Sequence, residues 1–204
     1  MVVAPHPDDE TIAAFGVLHA AVRQARRVTV VIVTDGAASH DSAAWPPKRL
    51  AALRERETLC AMRRAGVRKN EVRFLRYGDS ALCDLDRAGR RALRRDLQRM
   101  PQPDLVVRPS RADHHIDHRI VGEACEAAWP GRVRQLTYLV WPEQGARFQA
   151  RYAVPLGPLR ELKRAAIMAY RSQTGLIDDD PNGFCIDQKT IARFCGPVER
   201  FGEA

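Results

Sequence analysis

The sequence predicts an α/β protein, Rossmann-like, with a largely parallel sheet and helices on both faces. Three observations carry this. Short continuous apolar runs recur along the chain, amphipathic segments of about 10 to 20 residues separate them, and a polar cluster follows each run. A strand buried on both faces reads as an unbroken apolar run, and parallel neighbours need a helical crossover between them. Met1–Ala4 is the first such run, followed by a helix over 9–24. Val28–Val33 precedes a helix over 48–65, with 41–47 as a loop between them. Val72–Arg76 leads into a helix over 86–99. Leu105–Val107 is followed by a helix over 117–129, and Leu136–Trp141 by one over 159–171. Asp178-Asp179-Asp180-Pro181-Asn182-Gly183 is turn-rich. Neither of these loops divides the chain, so one domain is expected over residues 1–204.

A chain of 204 residues is long enough to bury a full core without metal or disulfide staples. With 45% hydrophobic and 28% charged residues it reads as globular, and no apolar run approaches the roughly 18 to 20 residues of a membrane span. MVVAPHPDDE lacks the basic start and apolar core of an export signal, so the expected location is the cytoplasm. Cys60, Cys83, Cys125, Cys185 and Cys195 are odd in number, widely spaced and without a CxxC pair; reduced thiols are expected. The formal net charge of +8 invites a nucleic-acid reading. Its densest cluster, Arg87, Arg90, Arg91, Arg94, Arg95 and Arg99, falls at helical spacing opposite Leu93, Leu97 and Met100, the pattern of a solvated outer face. No nucleic-acid motif accompanies it, and a small-molecule partner is expected instead.

The polar clusters are His6–Glu10, Thr34-Asp35-Gly36, Tyr77-Gly78-Asp79-Ser80, Pro109–His118 and Pro142-Glu143. Ligands of open parallel sheets bind beyond the carboxyl ends of the strands, so these clusters should converge on one crevice. His6-Pro7-Asp8-Asp9-Glu10 and His115-Ile116-Asp117-His118 together offer the ligand set of an open catalytic zinc: two imidazoles and a carboxylate, with a fourth position for water or substrate. We assign His6, Asp9 and His118 as ligands of Zn²⁺ or another divalent transition metal. Adjacent carboxylates in a tight turn diverge, which leaves Asp8 as the base facing the water. His115, three residues before His118, is read as a protonated group aimed at substrate, and Asp117 as a residue that orients one of the histidines. Helix capping accounts for one or two of the acids but leaves His6 without a reason. Taken alone, Arg54 and Glu57 fit a solvated i,i+3 pair and Asp79 a turn aspartate. Two alternatives stand beside the zinc reading. One is a magnesium-dependent phosphoester enzyme built on Asp8, Asp9 and Glu10; the other is a basic nucleic-acid-binding module.

Taken together these motifs resemble the PIG-L/LmbE-like family of zinc-dependent N-acetylglucosaminyl deacetylases. Val3-Ala4-Pro5-His6-Pro7-Asp8-Asp9-Glu10 is similar to its first signature and His115-Ile116-Asp117-His118-Arg119 to its second. Weaker likenesses are Thr34-Asp35-Gly36, Leu53-Arg54-Glu55-Arg56-Glu57, Tyr77-Gly78-Asp79 and Ala169-Tyr170-Arg171-Ser172-Gln173. The resemblance implies hydrolysis of an N-acetylated amino sugar or conjugate to acetate and a free amine. It implies His6, Asp9 and His118 as zinc ligands, Asp8 as base, and His115 as oxyanion stabiliser and helper of the leaving amine. It further implies that Arg54 and Asp79 bind sugar hydroxyls, and it leaves a homo-oligomer open. The chain departs from the pattern at Asp113, where the mycothiol-precursor deacetylases have tyrosine, and at Phe15-Gly16, where many members have paired glycines.

Overall fold

The computed structural model describes residues 1–131, 133–142 and 148–203, so Glu143 of the last polar cluster lies outside the described residues. In chain order the elements are β1 (Val2–Ala4), α1 (Asp9–Arg23), β2 (Val30–Thr34), α2 (Pro47–Ala65), β3 (Val72–Tyr77), α3 (Arg87–Gln98), β4 (Leu105–Pro109), α4 (Ile116–Ala128), β5 (Arg134–Tyr138), β6 (Tyr152–Pro155), α5 (Leu159–Ile167), α6 (Gln188–Phe194) and β7 (Val198–Glu203). One sheet holds all seven strands in the order β3-β2-β1-β4-β5-β7-β6. The first five pair in parallel, with Val3 opposite Val31 and Val107 opposite Leu136. β7 runs antiparallel to both β5 and β6.

Alternation along the strands sorts the core into two layers. Val2, Ala4, Val30 and Ile32 face Ile12, Phe15 and Leu18 of α1, Ala61 and Met62 of α2, and Ala166 and Ile167 of α5. Val3, Val31, Val33 and Val106 face Leu93 and Leu97 of α3 and Ile120, Val121 and Cys125 of α4. The expected helices on both faces are present. The arginine-rich helix turns Leu93 and Leu97 inward, and Arg87, Arg91, Arg94, Arg95 and Arg99 are exposed. All five cysteines are free. Among the described residues no helix is long and apolar enough to cross a membrane.

The C-terminal third departs from the sequence expectation. The helix expected over 159–171 ends at Ile167, where Ala169 and Tyr170 tighten the chain through i→i−3 bonds to Ala166 and Ile167 before a 3-10 turn, Arg171–Gln173. The strand expected over 136–141 is Arg134–Tyr138. β6, α6 and β7 were not expected. β6 is four residues ending in proline, and β7 carries three charged residues and Gly202, so neither presents an apolar run.

Strand order reverses between β1 and β4, because the chain winds outward from β1 to β3 and then crosses back to β4. A switch point of this kind opens a crevice at the carboxyl ends of its two strands. The segments that follow β1 and β4 hold His6–Glu10 and Ser110–His118.

Candidate metal centre

The centre is built on two chain turns. After β1 the backbone enters α1 through Asp8, whose φ of 133° and ψ of −29° lie in a region that non-glycine residues rarely occupy. The turn is held from several sides. Thr11 and Ile12 N–H donate to the Asp8 carbonyl at 2.9 and 2.8 Å, and the Asp8 N–H donates to Glu10 Oε2 at 3.1 Å. Glu10 in turn accepts hydrogen bonds from Thr11 and from the Tyr170 hydroxyl. After β4 the loop ends in His115, whose Nδ1 accepts the Asp117 N–H at 3.2 Å and so caps α4.

The two turns bring three histidines together. Ring centroids of His6, His115 and His118 are 4.6 to 5.3 Å apart, and one ring nitrogen from each lies within 4.8 Å of the others. Asp9 Oδ2 is 3.2 Å from His6 Nδ1 and 3.2 Å from His118 Nε2. A tetrahedral centre with bonds of about 2.0 Å holds neighbouring donors about 3.3 Å apart, close to the two spacings that Asp9 Oδ2 makes with the imidazoles. His118 is fully buried, and neither of its ring nitrogens completes a hydrogen bond. A buried ring nitrogen beside a carboxylate, without a completed hydrogen bond, is placed where a metal ligand would be. The structure thus brings His6, Asp9 and His118 together, with Asp9 Oδ2 between the two imidazoles.

The surrounding carboxylates orient these donors. Asp113 Oδ2 is 3.2 Å from His118 Nδ1 and accepts the N–H groups of Val140 (2.9 Å) and Trp141 (3.2 Å), while Oδ1 accepts the His115 N–H at 3.0 Å. Sequence reasoning gave Asp113 no role; the available signal was a carboxylate two residues before the first histidine of the late motif. His6 Nε2 faces Asp79 Oδ1 at 3.2 Å and Asp117 Oδ2 at 3.3 Å. His6, Asp79 and Asp117 also approach closely enough to form a donor group. We read the two carboxylates as outer partners of His6: they hold the Nε2 proton and leave Nδ1 facing Asp9. Asp117 thus touches His6 through its side chain and His115 through its main chain. In the metal-free chain burial opposes protonation of His118, but Asp9 and Asp113 raise its pKa to about 9. Burial also opposes ionisation of Asp9, yet His118 and His6 hold its carboxyl far below the usual range. Burial lowers the His115 pKa, and the charges of His6 and His118 lower it further.

Asp8 lines the same cavity as His6 and Asp9 and has a partner of its own. Its Oδ2 accepts from Arg54 Nη2 at 3.1 Å; Arg54 also donates to the carbonyls of Pro7 (2.5 Å) and Gly36 (2.9 Å). Burial lifts the Asp8 pKa to about 8, despite the opposing pull of Arg54. Arg54 and Glu57 do not form the solvated pair that their spacing allows. Both are buried, and Glu57 accepts from the Ser172 N–H and hydroxyl at 2.9 and 2.6 Å.

A cavity of about 290 Å³ opens over these groups. His6, Asp8, Asp9, Arg54, Asp79 and His115 line its floor, while Ser39, Trp141, Gln173 and Phe184 form walls. The walls are tied together, since Phe184 N–H donates to Ser39 O at 2.9 Å and Asp41 N–H to Asp180 Oδ2 at 2.7 Å. Trp141 packs edge-on against Phe184 and is pocket wall, whereas Trp129 is core. His19 and His40 do not line the cavity. Gln173 and Phe184 had no reading as walls in the sequence, because their loops join the site only through tertiary packing.

Losing an outer-shell partner of a metal-bound histidine typically costs about 10- to 100-fold in metal affinity. Asp113→Asn is expected to weaken binding of zinc to the stripped chain by about that factor, read by competition against a chromophoric chelator.

Comparison with curated proteins gives no match. Among solved structures the chain is similar to N,N'-diacetylchitobiose deacetylase from Pyrococcus horikoshii, complexed with its inhibitor MPG. The identity is 25% and the TM-score 0.78, over 100% of this chain and 82% of that one. It is also similar to the zinc-inhibited form of teicoplanin deacetylase Orf2, at 19% identity and TM-score 0.69 over 100% and 97%. A third likeness is GalB, the 4-carboxy-2-hydroxymuconate hydratase of Pseudomonas putida KT2440, at 19% identity and TM-score 0.68 over 99% and 93%. The last two show the fold alone, and one fold that hosts a deacetylase and a hydratase does not choose the reaction. The family model described as PIG-L: GlcNAc-PI de-N-acetylase matches residues 1–129, and the chain belongs to that family.

Proposed function

We propose that the protein is a metal-dependent amide hydrolase that removes the acetyl group from an N-acetylglucosamine-type sugar or conjugate. The observation that carries this reading is the convergence of His6 Nδ1 and His118 Nε2 on Asp9 Oδ2, each at 3.2 Å, at the floor of a cavity beside a separate buried carboxylate, Asp8. The family assignment and the likeness to a diacetylchitobiose deacetylase support it. Two imidazoles in the donor set suit zinc or a similar transition metal better than magnesium, which prefers oxygen-only ligands and disfavours the phosphoester alternative.

His6, Asp9 and His118 would hold the ion. When bound, such an ion acidifies water and polarises a carbonyl. The chain's own groups do the rest. Asp8, held by Arg54, accepts a proton as water attacks the acetamide carbon. His115, which accepts the Asp117 N–H at Nδ1, is left with Nε2 to donate to the developing oxyanion and to assist departure of the amine. As the C–N bond breaks, the proton returns to nitrogen and acetate and a free amine are released. Arg54 and Asp79 sit on the cavity floor, where sugar hydroxyls would reach them.

Zinc-restored protein should release acetate from at least one of N-acetylglucosamine, N,N'-diacetylchitobiose and N-acetylglucosaminyl phosphatidylinositol. Release that is equal in zinc-restored and chelator-treated protein would overturn the reading.

A further inference from the structure

α1 is not continuous. Ala14 has φ −134° and ψ 18°, outside the helical region, so the helix is kinked between its first turn and its body. In an unbroken helix the Gly16 N–H donates to the Ile12 carbonyl. Here both groups have other partners. Gly16 N–H donates to both oxygens of Glu199, at 3.0 and 2.9 Å, and Val17 N–H approaches Oε2 at 3.4 Å. The Ile12 carbonyl accepts from Lys163 Nζ at 2.6 Å. Lys163 and Glu199 are themselves paired at 2.8 Å, with side chains 1% and 3% exposed. An ion pair from α5 and β7 is thus inserted into a single rung of α1, one of the recognised causes of a sharp kink.

Two further observations make the insertion specific. A β-carbon on Gly16 would lie 3.0 Å from Glu199 Oε2 and 2.7 Å from Leu156 Cδ2, so this Gly admits the carboxylate to the helix backbone. The polarity also matches, because the carboxylate meets the N–H groups of Gly16 and Val17 and the ammonium meets the Ile12 carbonyl. A buried pair is rarely the most stable way to fill a core, since apolar side chains of similar volume serve as well or better. Its effect here is geometric. The short segment before the kink begins at Asp9 and follows directly on Asp8, so the kink sets the direction of the turn that faces His118.

We propose that Lys163 and Glu199 are positioning residues for the metal centre, a wedge that fixes the α1 kink and thereby places Asp9 between His6 and His118. This rests on the reading of His6, Asp9 and His118 as metal ligands. The Lys163→Met, Glu199→Leu double variant removes the wedge with little change of volume and lets the Gly16–Ile12 rung close. Metal-stripped wild type and variant, both verified as folded by circular dichroism, are titrated with Co²⁺. The wild type is expected to bind one equivalent. The folded double variant is expected to bind about tenfold more weakly or worse, as when a supporting residue of a metal site is lost, with a changed visible cobalt absorption. If the double variant does not fold, Glu199→Gln decides. It keeps an acceptor for Gly16 but sets an amide against Lys163, and about half the free-energy loss, roughly threefold in affinity, is expected. Wild-type affinity and spectrum in the folded double variant, or in Glu199→Gln where it decides, overturn the wedge and leave the metal ligands standing. A wild type that binds no Co²⁺ overturns both.

Discussion

Replacing Asp8 by alanine is expected to lower kcat by about 10²- to 10⁴-fold, the usual contribution of a positioned general base, while leaving the metal in place. The separation follows from geometry. Asp9 Oδ2 faces His6 and His118, whereas Asp8 Oδ2 faces Arg54 on the cavity floor. Asp8 is buried and its backbone is strained, so truncation also leaves the Arg54 guanidinium short of one acceptor. Asp8→Asn serves as the matched control. Its side-chain oxygen still accepts from Arg54, but it takes up no proton. Both variants should therefore show that loss of kcat, with zinc content equal to that of the wild type by elemental analysis. A kcat within tenfold of wild type in either, on a verified substrate, would remove Asp8 from the role of base.

His118→Ala is expected to act in the opposite way, by losing the metal. Four ligands of a structural zinc site supply roughly 10–16 kcal/mol, so an equal share for one ligand is on the order of 3–4 kcal/mol, or about 10²- to 10³-fold in affinity. His118 is fully buried and stands between Asp9 and Asp113. Alanine leaves a cavity and two carboxylates without their imidazole, so a lower melting temperature should accompany the loss. Competition titration of the folded variant against a chelator reads the affinity separately from stability. Unchanged zinc affinity would exclude His118 as a ligand.

The first two-thirds of the fold was legible because its elements announce themselves twice. Val28–Val33 and Leu105–Val107 read as apolar strands, and Leu93 and Leu97 at helical spacing read as a buried face. The site was legible for a related reason. In a parallel sheet with β1 beside β4, residues placed after the two strands must meet, so His118 reaches His6 and Asp9 from 109 or more positions away in the sequence. What could not be read depends on contacts between segments without a pattern of their own. β6 and β7 lack apolar runs and acquire their place only by pairing with each other and with β5. Asp113 looks like an ordinary loop acid until Val140, Trp141 and His118 are seen around it. Lys163 and Glu199 belong to no motif in the sequence; only the fold shows them buried and paired at 2.8 Å. Arg54 and Glu57 show the same principle, since their i,i+3 spacing suggests a mutual pair and tertiary packing sends each to a different partner.

The central claim is that the turn after β1 and the start of α4 share one cation. The most direct measurement is anomalous scattering at the zinc edge from crystals of protein restored with one equivalent of zinc. A single peak within about 2.0–2.2 Å of His6 Nδ1, Asp9 Oδ2 and His118 Nε2 is expected. A peak between Asp79 and Asp117 instead, or no ordered zinc at all, would contradict it.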